Sequence, residues 1–381
     1  MICIKNGMVY DAISEKPEIK DILIEDGKIK EIGLNLTINE NCEVVDATGK
    51  NVYPGFIDAH SHIGTSGSGI GFEGNDTNER TDILTPHLRA IDAIEPMDIT
   101  FKEAREEGVT TVCTGPGSAN VVGGTFIAMK TVGNRVDDMV ICDSVAMKCA
   151  FGENPKRCYQ NKNNCTRMGT AAKLREILFK TKEYDAKLKA AEQGNGKKPP
   201  FDFKLHAMLP VLHGELPLKI HAHRTDDIFT AIRIVREFNL KATLEHVTDG
   251  RLIIEDLKKE GFMLAVGPSL GHYTKFEVKN KSFKTPGELA DAGCHVSIIT
   301  DAPVIPQQYL RICAGLAVKS GMKPFDALKA ITINPAEHIG IQNRVGSIEV
   351  GKDADIVIMD GCLFETRSKV VATYIDGKKV A

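Results

Sequence analysis

The 381 residues carry 48 lysines and arginines against 51 aspartates and glutamates, a formal charge of -3, with 42% hydrophobic residues and no tryptophan. So balanced a charge, with no basic cluster, leaves no strong field for nucleic acid or a membrane surface, and no run approaches the ~18 apolar residues of a membrane span. The length suits one large α/β domain plus something smaller. The ten cysteines include no C-x-x-C pair and no secretory leader is legible, so free thiols in a reducing cytoplasm are expected. Cys158 and Cys165 share a polar loop, at a spacing that matches no zinc motif.

The first fifty residues read as short strands at Met1 to Ile4, Met8 to Tyr10, Ile19 to Ile24 and Lys28 to Ile32. Asn6-Gly7 and Asp26-Gly27 between them favour two-residue hairpins. Ala354 to Met359 and Val370 to Ile375, followed by Asp360-Gly361 and Asp376-Gly377, repeat this texture at the other end. Residues 1–53 and 340–381 are therefore expected to build one small antiparallel sheet from both termini.

Over 54–339, eight apolar runs alternate with helix-like segments: Gly55 to Ala59, Val109 to Cys113, Thr125 to Met129, Met139 to Met147, Leu218 to Ile220, Ala242 to Leu244, Phe262 to Val266 and Val296 to Ile299. Alternation predicts parallel strands, and eight closes a (β/α)8 TIM barrel. Helices are expected at Asp226 to Phe238 and Gly250 to Glu260. Only about ten residues separate the third and fourth runs, too short for a crossover helix, so one of the two is suspect. An insert at about 151–201, with a charged helix near Ala171 to Glu192, reads either as a lid or substrate wall at the barrel mouth or as a solvated excursion.

Pro54-Gly55-Phe56-Ile57-Asp58-Ala59-His60-Ser61-His62 is a strand-like run ending in two histidines one residue apart. Side chains alternate along a strand, so His60 and His62 share a face about 7 Å apart, close enough to grip one ion. Pro217 to His221, Ala242 to His246 and His295 to Asp301 likewise end in a histidine or an aspartate where a strand stops. A parallel barrel gathers such ends at one mouth. Imidazole and carboxylate suit a divalent ion, zinc foremost, with iron, nickel or manganese as alternatives. His223 shares a face with His221 and is an alternative ligand, though a supporting or substrate contact is preferred. His206, His213, His272, His295 and His338 lack motif support and read as structural or surface residues, His272 being held open because it follows the seventh run. Gly115 to Ser118 and Val122 to Gly124 lack phosphate-loop spacing.

Taken together, PGFIDAHSHIG at Pro54 to Gly64, His221, His246, Asp301, Asn334-Pro335-Ala336 and VGSIEVGKDADIVIMD at Val345 to Asp360 resemble the amidohydrolase superfamily over nearly the whole chain. Within it, the pattern looks like the branch of imidazolonepropionases and prolidase-like dipeptidases. The resemblance implies a barrel with a composite β-sandwich, and hydrolysis by metal-activated water. His60 and His62 would be first-strand ligands, His221 and His246 the fifth- and sixth-strand ligands, and Asp301 the eighth-strand carboxylate and catalytic proton shuttle. Lys148 stands where binuclear relatives carry a carboxylated lysine bridging two ions. Unmodified, it is a cation for a substrate carboxylate or a partner for Glu153, and the site holds one ion.

Arg80, Arg224 and Lys275 fall near the mouth as candidate binding groups for a substrate carboxylate. The expected activity is hydrolysis of a C–N amide bond in a small polar substrate, a dipeptide or N-acyl amino acid by preference. A cyclic amidase of the imidazolonepropionase type is the alternative, and a catalytically inactive scaffold the reading from another class. No organic cofactor is expected. The partner is a small molecule rather than nucleic acid or membrane, and a homo-oligomer is consistent with this type of barrel.

Overall fold

Residues 1–68, 71–162 and 164–381 are described by a computed structural model. The N-terminal segment supplies β1 (Ile2–Val9), β2 (Glu18–Glu25), β3 (Lys28–Gly33), β4 (Glu43–Asp46) and β5 (Asn51–Pro54). Asp26-Gly27 joins β2 to β3 with both residues at positive φ, 49° and 77°, as a type I′ hairpin turn requires. Asn6-Gly7 makes no hairpin. β1 runs through it as a bulge, pairing Ile2 to Lys5 with β4 and Met8 to Val9 with β5. Asn6 takes φ 60°, and a Cβ at Gly7 would stand 2.5 Å from Val52 Cγ2, so the close approach needs glycine.

The eight apolar runs form a second sheet in chain order: β6 (Phe56–Ser61), β7 (Val109–Thr114), β8 (Val122–Lys130), β9 (Val140–Ala150), β10 (Leu218–Ala222), β11 (Ala242–His246), β12 (Leu264–Val266) and β13 (Val296–Ile298). Both suspect runs belong to it, but the all-parallel expectation fails at one strand. β8 is antiparallel to β7 and β9, whereas every other neighbour pair is parallel. The link from Gly115 to Val121 is too short for a crossover, so the chain turns straight back.

Among the described residues no ladder joins β13 to β6, and the buried Asp58 carboxylate spans that seam. Its Oδ2 accepts from Thr300 N (3.0 Å), Thr300 Oγ1 (2.6 Å) and Gln307 Nε2 (2.8 Å), and its Oδ1 accepts from His60 N (3.0 Å).

The helix at Thr225–Phe238 covers the barrel with Ile228, Ala231, Ile232 and Val235. The helix at Arg167–Glu192 lies between β9 and β10 and buries Leu174, Ile177 and Leu178 in the same core as Leu218 and Ile220. It is therefore packed barrel cover, not a solvated excursion. Its first residue, Arg167, reaches both oxygens of Asp227 (3.0 and 2.9 Å).

β14 (Ile356–Asp360), β15 (Lys369–Ile375) and β16 (Lys378–Lys379) complete the terminal sheet, with β14 lying against β5. Lys130, at the end of β8, ties the two sheets together through Asp355 (2.7 Å), Asp353 (3.1 Å) and Asp376 (3.3 Å). All ten cysteines are free. Among the described residues no helix is long and apolar enough to cross a membrane.

Candidate metal centre

β6 delivers His60 and, just beyond its last residue, His62, with ring centroids 5.3 Å apart. Asp301 Oδ1 lies 3.1 Å from His62 Nε2 and 3.6 Å from His60 Nε2. β10 carries His221, with His223 just past its end, and β11 closes on His246. One ligand atom from each of His221, His223 and His246 lies within 4.8 Å of the others, and the same holds for His60, His62 and Asp301. The two groups meet at His60 and His246, whose ring centroids are 5.0 Å apart. His246 and Asp301 both adopt left-handed backbone (φ 74° and 54°). Such strain, of order 1 kcal/mol or more, persists where the surroundings impose it and clusters at functional sites.

Three imidazoles have Nδ1 committed outward: His60 to Glu245 Oε2 (3.0 Å), His62 to the Gly115 carbonyl (2.7 Å) and His246 to the Gly267 carbonyl (2.8 Å). An acceptor there holds the proton on Nδ1 and turns the Nε2 lone pair toward the centre. The buried Nε2 atoms of His221, His223 and His246 have no hydrogen-bond partner in the protein, an arrangement that costs roughly 1–3 kcal/mol per group unless a ligand meets them. Burial pushes His60, His221 and His223 well below the ordinary histidine range and His246 down to about 4, so all four are neutral. Burial opposes the charge of Asp301, but the attraction of His246 and His62, exerted when those rings carry a proton, outweighs it and keeps the carboxyl below the usual carboxylate range. Neutral imidazoles and an ionised carboxylate, with unpartnered nitrogens converging, fit a divalent ion.

Two fully buried lysines lie in register on β9 and β10. Lys219 Nζ sits 2.9 Å from Glu245 Oε2. Among the described residues Lys148 Nζ has no carboxylate within 4.0 Å, and its partner is His60 Nε2 at 3.2 Å. Burial lowers Lys148 to about 8.

Glu245 also accepts from Thr243 Oγ1 (2.6 Å) and meets His338 Nε2 (2.9 Å). Sequence reading passed over Glu245 because it precedes His246, and strand alternation sends consecutive residues to opposite faces. The left-handed backbone at His246 breaks the alternation and turns both inward. His338, expected to be structural or on the surface, is buried beneath the site as the partner of Glu245.

Glu277 was missed as well, since it stands in a single 3-10 turn, Phe276–Val278, with no motif. Its Oε1 lies 3.8 Å from the Nε2 of both His221 and His223 and 2.6 Å from Lys275 Nζ. Lys275 is thus paired with Glu277 rather than open to a substrate. Arg224 is bidentate to Asp226 (3.0 and 2.9 Å) and lies beside the Phe276 ring. Arg80 lines a cavity of about 530 Å³ with Asn75, Asn78, Pro116 and Gly123. The histidines do not line this cavity. Gly123, in the wall of this cavity, adjoins Lys148 instead: a Cβ there would stand 3.4 Å from Lys148 Cγ. His272 is exposed.

The crystal structure of an amidohydrolase from Thermotoga maritima MSB8 matches this chain at 40% identity over the whole of both chains, with a TM-score of 0.97. The chain belongs to the amidohydrolase superfamily. The Amidohydrolase family model matches residues 212–380 of this chain. The amidohydrolase tasK of Hapsidospora irregularis is 28% identical over 387 residues, 94% of this chain. The chain spans only 39% of the length of that relative. An imidazolonepropionase from Geobacillus sp. (strain WCH70) is 25% identical over 375 residues, covering 89% of this chain and 83% of that one. The superfamily uses divalent metals, and the two donor groups are where this member can hold them.

Proposed function

We propose that the chain hydrolyses the amide bond of a small polar substrate, a dipeptide or an N-acyl amino acid by preference. The observation that carries this reading is the convergence of unpartnered Nε2 atoms on one buried centre beside an ionised carboxylate and an amine that loses its proton near pH 8. His60, His62 and Asp301 would hold one divalent ion and His221 and His246 a second. Ions bound there acidify water and polarise the scissile carbonyl. Asp301 takes the proton from the attacking water and delivers it to the leaving nitrogen.

Lys148 is the residue suited to carboxylation. The ammonium first gives up a proton; the neutral amine then attacks CO2, an N–C bond forms as one C–O π bond opens, a second proton leaves, and the buried cation has become a carbamate anion facing the imidazoles. Arg80, in the wall of the neighbouring cavity, is the candidate partner of a substrate carboxylate.

A second reading, hydrolysis of a cyclic amide, is favoured by the relationship to imidazolonepropionase. Protein loaded with zinc and supplied with bicarbonate should be assayed against dipeptides, N-acyl amino acids and cyclic amides, following amine release or ring opening. Turnover confined to linear amides supports the first reading, ring opening alone the second, and no turnover with metal bound leaves the scaffold reading standing. In the cell we place the protein in the cytoplasm, where its free thiols persist.

A further inference from the structure

We infer that His223 and Glu277 are protein ligands of the ion held by His221 and His246, giving that ion a four-donor set of three imidazoles and one carboxylate. The inference rests on the metal-dependent reading above and adds two residues to it.

His223 is aimed at this position. Its Nδ1 is engaged by Thr248 Oγ1 at 2.7 Å, and its ring stacks on His246 with centroids 4.7 Å apart and planes 23° from parallel. That leaves Nε2 buried, unpartnered and grouped with the ligand atoms of His221 and His246. A histidine serving only to orient its neighbours would turn a nitrogen onto one of them. His223 presents its free nitrogen to the same space that they do.

Glu277 is held by a purpose-shaped seat. Its Oε2 accepts from the Glu153 N–H at 2.7 Å. Gly152, at φ 85°, has no side chain where a Cβ would stand 2.5 Å from that oxygen. Oε1 is thereby fixed 3.8 Å from both His221 Nε2 and His223 Nε2. Lys275 Nζ lies 2.6 Å from the same Oε1 and competes with an ion for that oxygen. Three neutral imidazoles and a carboxylate complete the four ligands of tetrahedral zinc.

The test is zinc affinity by chelator competition on the full chain, with the visible spectrum of the cobalt(II)-loaded protein as a second readout. Wild type is expected to bind two ions. Glu277→Gln and His223→Ala should each weaken one of them by at least ~10-fold and alter the cobalt spectrum, while the other ion is retained. Lys275→Met should tighten the weaker ion, because it removes a competitor for Oε1. If Glu277 only anchors the Gly152 loop or contacts substrate, Lys275→Met leaves the affinity unchanged or lowers it.

A folded Glu277→Gln protein that keeps both ions with unchanged affinity and spectrum overturns this assignment alone. If Glu277→Gln does not fold, the Lys275→Met result decides. Wild type that binds no divalent ion overturns this assignment together with the reading it rests on.

Discussion

Lys148 and Lys219 make a sharp test, because they are neighbours in register, equally buried and of the same charge, yet replacing each by methionine should have opposite effects. Burial moves Lys148 from its ordinary 10.5 to about 8, which at ~1.4 kcal/mol per tenfold costs the folded state roughly 3 kcal/mol. Lys148→Met removes that cost. It also forfeits the hydrogen bond to His60 Nε2, about 1 kcal/mol, so metal-free protein should gain roughly 2 kcal/mol near pH 7.

The sign follows from proton counting. Between pH 8 and 10.5 the folded state binds fewer protons at this residue than the unfolded chain, so the wild-type penalty is complete below about 8 and fades as pH rises through that window. The advantage of Lys148→Met should fade with it. Lys219→Met instead strands the buried Glu245 carboxylate and should cost about 3–5 kcal/mol. Denaturant unfolding of metal-free, CO2-free protein between pH 6 and 10 measures both. A Lys148→Met variant no more stable than wild type at pH 7 would refute the claim that this ammonium is buried without compensation.

Three further outcomes are expected. Glu245→Gln should lower metal affinity about 10–100-fold by releasing His60 Nδ1, and destabilise the metal-free protein by leaving Lys219 unpaired; unchanged zinc affinity would show that Glu245 does not orient His60. Asp301→Asn should reduce kcat by about 10²–10⁴, because the amide cannot take the water proton, and steady-state kinetics on the best linear amide would check it. Chelation should abolish activity, and readdition of zinc at fixed dissolved CO2 should restore it at a rate rising about tenfold per pH unit below 8 and levelling above, as Lys148 loses its proton. Recovery independent of pH and of CO2 would argue against carboxylation of Lys148.

Sequence by itself determined the eight core strands, the terminal sheet and the placing of His60, His62, His221, His246, Asp301 and Lys148 at strand ends. Buried strands must be apolar and need turn residues at their ends, and a polar residue closing such a run has few places to go except the barrel mouth. Local chemistry misled where two geometries suit the same residues, as at Asn6-Gly7, which serves a bulge as well as a hairpin.

Tertiary structure decided the direction of β8: short spacing beside it was legible, but not that the strand stays in the sheet and runs antiparallel to both neighbours. It alone brought Glu245, His338 and Glu277 to the histidines, since their partners lie 185, 93 and 54 residues away for the Glu245–His60, His338–Glu245 and Glu277–His223 pairs. It also separated Lys148 from Lys219. Both read as a lysine in an apolar strand, and which one lacks a carboxylate depends on the side chain projecting from the neighbouring strand, a contact that periodicity along one chain does not encode.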